Sequence, residues 1–144
     1  MTKSIWRVPF TVEKLNARNK GTLADLMGIV FTQVGDDFLQ AEMTITESHL
    51  QPQGIMHGGA SCVFAETVGS VAANYCVDAE HFICVGLDIN TNHITAVRTG
   101  LLTAVGKPFH IGRMTQVWSI EIRDEKEKLI SVTRLTLVAI SKNI

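Results

Sequence analysis

The chain has 144 residues, of which 46% are hydrophobic, so it is long and apolar enough to bury a core, and global disorder is excluded. Its formal net charge of −1 gives no electrostatic case for nucleic acid or an anionic membrane as a partner. We therefore expect one domain over residues 1–144.

The ends and cysteines of the chain bear on its compartment. The first ten residues, MTKSIWRVPF, lack the apolar centre of a signal peptide, and no later apolar run reaches transmembrane length. Three cysteines, Cys62, Cys76 and Cys84, are odd in number and lack the CxxC spacing of metal ligands. We expect reduced thiols, no metal and a cytoplasmic location.

The first third of the chain predicts two short helices and a β-hairpin. The segment TVEKLNARNKGTLADLMG suits two helical turns, capped by Thr11 and Thr22, with Asp25 at capping-box spacing from Thr22. The segment IVFTQVGDDFLQAEMTIT follows, and its second arm alternates apolar and polar residues after a GDD turn. The next segment, ESHLQPQGIM, is predicted to be a loop.

One long helix is predicted from about His57 to Cys76, and strands follow it to the end. Three segments are rich in β-branched residues and alternate in polarity: FICVGLDINTNHI, GLLTAVGKPFHIGRMTQVWSIEIRD and KLISVTRLTLVAIS. A charged turn, DEKEK, separates the last two. One helix among five or six strands indicates an α+β fold in which an antiparallel sheet wraps the helix.

Glu66 is the only charged residue between His57 and Val77. At 100° per residue its helix face carries small side chains, namely Gly59, Cys62, Gly69, Ser70 and Ala73. The opposite face carries Phe64, Val68, Val71 and Tyr75, which we expect to pack on the sheet. A solvent-exposed face would carry several charges, and a buried carboxylate is costly unless donors compensate. A functional role for Glu66 is therefore favoured over simple solvation.

The sequence HGG at the start of this helix offers backbone N–H groups at a positive dipole end. At Gly58 a ligand oxygen could approach closely, and the N–H could stabilise an oxyanion. Gly58 and Glu66 are, however, separated by ~12 Å along a helix. Since both groups must lie within ~3 Å of one carbonyl, Glu66 would have to come from a second subunit. The spacing predicts a two-fold dimer with two shared sites.

The segment QPQGIMHGGASCVFAETVGS resembles the signature of hotdog-fold acyl-CoA thioesterases, in the glutamate-using branch with members in menaquinone and enterobactin synthesis. The likeness extends over VGDDFLQAEMTI, VGLDINTNH, GKPFHIGR and QVWSIEIRDE, and so over nearly the whole chain. It implies a hotdog fold, assembly into homodimers and usually homotetramers, and hydrolysis of an aromatic or medium-chain acyl-CoA. Coenzyme A would be part of the substrate, so no separate cofactor is implied.

The resemblance also implies roles for individual residues. Glu66 would be the nucleophile or the general base that activates water, and the Gly58 N–H would polarise the thioester carbonyl. Gln51 and His57 would orient the reacting groups, and Ser70 would position the water or the acyl group. His57 has a plain alternative role as a helix cap.

Coenzyme A carries phosphates, so basic residues are expected near the mouth of the groove. The basic candidates are His93, Arg98, Lys107 and Arg113, and Gly112, in the segment IGR with Arg113, is a further candidate. Two departures from the family bear on them: the pattern NHxR is replaced by NHIT, and LGS by IGR. Either Arg98 or Arg113 compensates, or coenzyme A binds more weakly; the alternative for each cation is a solvated surface charge.

Two other functions remain open on sequence grounds. Hotdog hydratases and dehydratases share the implied fold but depend on a catalytic histidine, whereas HGGASCVFAE together with Gln51 fits the thioesterases better. A non-catalytic acyl-CoA-binding module is the third possibility. No GxSxG elbow and no paired histidine spacing points to a serine hydrolase or a metalloenzyme.

Overall fold

The computed structural model describes residues 3–142. Two short helices, α1 (Val12–Asn19) and α2 (Leu23–Leu26), precede a hairpin of β1 (Val30–Val34) and β2 (Leu39–Thr44). A 3-10 turn over Glu47–His49 leads into the long helix α3 (Gly58–Asn74). Four long strands follow: β3 (Phe82–His93), β4 (Leu101–Ile111), β5 (Thr115–Asp124) and β6 (Leu129–Ser141).

The six strands form one antiparallel sheet in the order β1-β2-β4-β5-β6-β3, and α3 packs against it. This confirms the predicted α+β hotdog architecture. Within residues 3–142, strand β3 pairs only with β6 and therefore lies at an edge of the sheet, although it is the third of the six strands along the chain. No helix in residues 3–142 is both long and apolar enough to cross a bilayer.

Helix α3 packs on the sheet through Phe64 and Val68, as predicted, and both side chains are fully buried. Gly69 was predicted to lie on the face of small side chains around Glu66, but it is buried against the sheet. The side chains of Leu135 and Ile120 occupy the place that a Gly69 side chain would take. The small residue at this position thus serves contact between helix and sheet rather than contact with a ligand.

The helix ends differ slightly from the prediction. His57 is the N-cap of α3, since its Nδ1 accepts a hydrogen bond from Gly59 N at 2.8 Å. Thr11 caps α1 as predicted. Thr22 is the N-cap residue of α2 as predicted, but its hydroxyl donates to the Asn19 carbonyl and makes no side-chain capping bond. The Asp25 carboxylate accepts from the loop before α2, so it takes no part in a capping box.

The C-terminal half of α3 is joined to the sheet by two amide side chains, of which Asn74 is partly buried and Gln116 is buried. Asn74 Nδ2 donates to Cys84 O at 2.9 Å, and Cys84 N donates to Asn74 Oδ1 at 2.9 Å. Gln116 Nε2 donates to Ala73 O at 3.2 Å, and its Oε1 accepts from Trp118 Nε1 at 2.8 Å. These bonds fix the orientation of α3, and with it the position of Glu66, relative to the sheet.

Candidate active site

Glu66 lies half-buried on α3 and is held by its neighbour one turn later. Ser70 Oγ donates to Glu66 Oε1 at 3.0 Å. Gly86 on β3 faces the carboxylate, and a Cβ added there would collide with Glu66 Oε1. The lack of a side chain at Gly86 therefore lets the Glu66 carboxylate lie directly against the strand.

A pocket of about 290 Å³ lies at the start of α3. Its wall includes Gln51, Gly58 and His93, three of the residues singled out from the sequence. The His93 ring lies close to the backbone of Gly58, since a Cβ added at Gly58 would lie 2.8 Å from His93 Nε2. Within the described residues the Gly58 N–H has no acceptor, as expected for the first turn of a helix. This N–H is available to a ligand oxygen.

Gln51 and His57 differ in their relation to this pocket. Gln51 lines it, and its Oε1 accepts from Gln53 N at 2.9 Å, which fixes the side chain in the loop. His57 is exposed and lies outside the pocket wall. With Nδ1 accepting from Gly59 N, the neutral ring carries its proton on Nε2. In one chain His57 has the capping role that was its plain alternative.

Glu66 and Ser70 do not share the pocket with Gly58. Glu66 is absent from its wall, in agreement with the ~12 Å that eight helical residues span. Ser70 instead borders a larger cavity of about 630 Å³, which follows the C-terminal half of α3. A single chain thus carries two separate parts of the site: the Gly58 pocket at the start of α3, and Glu66 with Ser70 farther along the helix.

The candidate ligands for coenzyme A are also divided. His93 lies beside Gly58 in the pocket wall, whereas Arg98 lies outside that wall and is held by the loop before α3, where its Nη1 donates to Gly54 O at 3.0 Å. Lys107 lies elsewhere, with Nζ 5.6 Å from the centre of the Phe38 ring. Gly112 and Arg113 lie in the β4–β5 turn, which adjoins the end of β6 through a bond from Ala139 N to Met114 O. One chain does not bring these five residues together.

Sequence reasoning missed Gly86, although a signal for it exists. An isolated glycine inside the strand pattern CVGLDIN is typical of a close approach between a strand and another group. Of the apolar residues near the site, Phe82 lines the larger cavity and Met56 the smaller, whereas Phe64 and Val68 belong to the core.

Comparisons with known proteins agree on one family. The family model described as Thioesterase superfamily matches residues 53–131. A 1,4-dihydroxy-2-naphthoyl-CoA hydrolase from Escherichia coli is 46% identical, over 92% of this chain and 96% of that protein. The proofreading thioesterase EntH of Cronobacter sakazakii is 41% identical over the same shares. The crystal structure of a mutant thioesterase from Pseudomonas aeruginosa superposes with a TM-score of 0.94, at 40% identity, over 96% of this chain and 99% of that one.

Proposed function

The chain belongs to the thioesterase superfamily and is a thioester hydrolase, and from this premise we propose that it cleaves an acyl-CoA into a free acid and coenzyme A. One observation carries the proposal for the site: the single charged residue of α3, Glu66, is held by Ser70 and lies against a strand that has no side chain there. An aromatic or medium-chain acyl group is proposed, with the dihydroxynaphthoyl group named for the Escherichia coli relative as one candidate.

The proposed chemistry needs only two groups at the carbonyl. The thioester oxygen accepts from Gly58 N–H at the positive end of the α3 dipole, which stabilises the charge that develops on it. As a general base, Glu66 removes a proton from the attacking water, the carbon–sulfur bond breaks, and Glu66 returns that proton to the departing thiolate, which leaves as the thiol of coenzyme A. As a nucleophile, Glu66 attacks the carbonyl carbon and displaces the thiolate, and water then hydrolyses the acyl-glutamyl anhydride, which releases the acid and the proton that the thiolate takes up. Ser70 orients the Glu66 carboxylate through its hydrogen bond.

A two-fold dimer would complete this site. Strand β3 begins at Phe82, beside the larger cavity, and ends at His93, beside the Gly58 pocket. If two β3 edges pair antiparallel, the larger cavity of one chain meets the Gly58 pocket of its partner. Glu66 and Ser70 of one protomer would then act on a carbonyl held by the other.

The exposed edge of β3 supports this pairing. It is 12 residues long and carries apolar side chains that are exposed in the single chain: Ile83, Val85, Leu87 and Ile89. A long apolar edge strand that remains unpaired is prone to association, so a partner strand is its natural cover. Pairing also carries the Gly112–Arg113 turn toward the partner's His93, where the phosphates of coenzyme A would lie.

We also propose which residues bind coenzyme A, how a tetramer would be assembled and where the protein is located. Arg98 and His93 would bind coenzyme A at the pocket, with Gln51 beside the thioester, whereas Lys107 is assigned no contact. A homotetramer would be a pair of these dimers. The three cysteines are free thiols, which supports a cytoplasmic location.

Thiol release from a panel of acyl-CoAs tests the function. We expect turnover with an aromatic or medium-chain member and a loss of roughly 100-fold or more in kcat for Glu66→Gln, since the variant lacks the carboxylate. Glu125→Gln, in an exposed turn, is the matched control. Unchanged turnover in Glu66→Gln would contradict the assignment of Glu66. Water addition to an enoyl-CoA without thiol release would indicate a hydratase, and binding without turnover a binding module.

Hybrid dimers test the shared site. Glu66→Ala and Gln51→Ala chains are each expected to be inactive, and each mixed dimer would regain one intact site. Equal mixing should restore about a quarter of the native activity, since half of the dimers are hybrids with one of two sites intact. No recovery after demonstrated subunit exchange would show that one chain forms the whole site.

A further inference from the structure

The larger cavity lies beside the proposed reaction centre, although Glu66 itself is not part of its wall. It has a volume of about 630 Å³, and Ser70, the hydrogen-bond donor to Glu66, forms part of its wall. Beyond Ser70 its middle is lined by apolar side chains, namely Leu15, Val71, Val77, Phe82 and Ile83. Such a wall suits the hydrocarbon body of an acyl group whose carbonyl lies at Ser70 and Glu66.

The far end of this cavity is lined by hydrogen-bond donors without a common acceptor. Arg7 and Arg18 reach it from the N-terminal segment and from α1. Neither forms an ion pair with a carboxylate anywhere in residues 3–142. Arg18 Nη1 lies 3.4 Å from the Tyr75 hydroxyl oxygen, a long hydrogen bond. The cavity wall also includes Asn19, and its Nδ2 is buried without a hydrogen-bond partner.

Acidic groups near this end do not satisfy these donors. Asp78 accepts from Glu80 N at 3.0 Å and lies 2.9 Å from His81 Nδ1, and within residues 3–142 no hydrogen bond joins it to either arginine. The bonds to His81 and Glu80 lower the pKa of Asp78, and the charge of Arg7 adds a smaller lowering. Lys142 Nζ donates to Ala79 O. Arg7 and Arg18 are exposed, and neither guanidinium is paired with a carboxylate in residues 3–142, so both can turn toward a ligand in the cavity. The Asn19 amide is the buried donor of the set, and because buried donors in folded proteins almost always have an acceptor, it indicates a ligand that supplies one.

We propose that this end of the cavity recognises an oxygen acceptor at the end of the acyl group remote from the thioester, and a carboxylate most strongly. Arg7 and Arg18 are the specificity-determining residues, and Asn19 is a second donor. Tyr75, the C-cap of α3, lies five residues after Ser70, a span of ~7.5 Å that is comparable to a six-carbon acyl chain. This inference rests on the proposed thioesterase function.

Three thioesters that differ only at the far carbon test the proposal: hexanoyl-CoA, 6-hydroxyhexanoyl-CoA and adipoyl-CoA. We expect kcat/KM to rise in that order, with adipoyl-CoA favoured over hexanoyl-CoA about fivefold, because the arginines are exposed and their charge is screened. Added salt should reduce the advantage of adipoyl-CoA alone. The Arg7→Gln/Arg18→Gln variant should lose that advantage and keep its rate with hexanoyl-CoA.

Two further variants separate recognition from structure. Arg134→Gln removes an exposed arginine on β6, outside the cavity, and should retain the native order of substrates. Asn19→Leu should reduce the advantage of 6-hydroxyhexanoyl-CoA without lowering the melting temperature, since the lost amide has no partner.

The outcomes distinguish the two proposals. If all three thioesters are hydrolysed at equal kcat/KM, the inference is wrong and the thioesterase function stands. The same holds if the double arginine variant keeps the native preference. If no member of a wider acyl-CoA panel releases thiol, the proposed function fails, and the inference fails with it.

Discussion

At the scale of single residues, the position of the Glu66 carboxylate depends on an absent side chain. Ser70 donates to one of its oxygens, and Gly86 leaves room for the same oxygen against β3. A carboxylate held from one side by a donor and from the other by a strand has little freedom to turn. Such restriction is what a reacting group needs, since errors of about 1 Å cost large factors in rate.

Gly86→Ala should therefore reduce kcat by roughly 100-fold while leaving the fold intact. The new methyl group would displace only the end of a flexible side chain, and alanine suits a strand at least as well as glycine. Steady-state kinetics and thermal melting of the same preparation check both parts.

A second substitution serves as the control. Glu66→Asp shortens the carboxylate by one methylene group, so combining it with Gly86→Ala should recover part of the lost rate. Full activity in Gly86→Ala alone would mean that the carboxylate acts from a different position.

The buried thiols make stability depend on alkaline pH. Burial raises the pKa of Cys76 from 9.0 to about 12, and Cys84 nearby adds to the rise. An unfolded chain loses this proton near pH 9, so the stabilisation is fully present below pH 9 and is lost as pH rises toward 12. Between pH 9 and 11, the free energy of unfolding in urea should fall less steeply for Cys76→Ala, by up to about 1.4 kcal/mol per pH unit. Equal slopes in the native protein and in Cys76→Ala would contradict a contribution of this thiol to the pH dependence.

Residue-level prediction succeeded where the helical period decides and failed where tertiary register decides. The spacing of Glu66 and Ser70 places them one turn apart, and the structure has them in contact. Nothing local indicates that Gly86 faces Glu66, because that depends on how β3 is aligned with α3. At Thr22 the reason is local: it is the N-cap residue of α2, but its hydroxyl donates to the Asn19 carbonyl three residues earlier instead of to the helix.

At the scale of elements, the attachment of α3 to β3 positions the site. Asn74 bridges them, with its amide bonded to both backbone groups of Cys84 and to the Ser70 carbonyl. Because Gly86 follows Cys84 by two residues, this bridge sets which part of β3 faces Glu66. The existence and type of each long element followed from periodicity, whereas the strand order that puts β3 at the edge did not.

Asn74→Ala should lower the free energy of unfolding by about 2–3 kcal/mol, because the partly buried backbone groups of Cys84 lose their partners. Asn92→Ala is a matched control, since its exposed amide makes only a 3.5 Å contact to Asn90. Its effect should stay within about 0.5 kcal/mol. Chemical denaturation measures both, and similar losses in the two variants would argue against a bridging role for Asn74.

At the scale of the whole molecule, the two halves of the proposed site lie apart in one chain and would meet across paired β3 edges. The spacing of Gly58 and Glu66 was enough to predict a second subunit. It could not identify the surface involved, because the edge position of β3 arises only when the sheet is assembled. The exposed apolar side chains of β3 indicate that surface in the folded chain.

Leu87→Lys should convert the protein to monomers and lower kcat/KM by roughly 100-fold or more, since a charge would be buried in the pairing edge. Leu87 is 65% exposed in the single chain, near the middle of β3. Leu26→Lys is the control: it is 80% exposed but lies on α2. Sedimentation velocity and thiol release are measured on both. A dimeric and active Leu87→Lys protein would exclude this edge as the interface.

The edge position of β3 also has a consequence for the time at which the protein becomes competent during synthesis. Within residues 3–142 its only strand partner is β6, which leaves the ribosome after the other strands of this sheet. Until then β3 has no backbone partner within its chain, and its apolar side chains have nothing to cover them. The surface that would recruit a second copy is therefore completed only when β6 has been made. A nascent chain, or one truncated before β6, would not enter a dimer, and so it could not impair the active site of a complete partner.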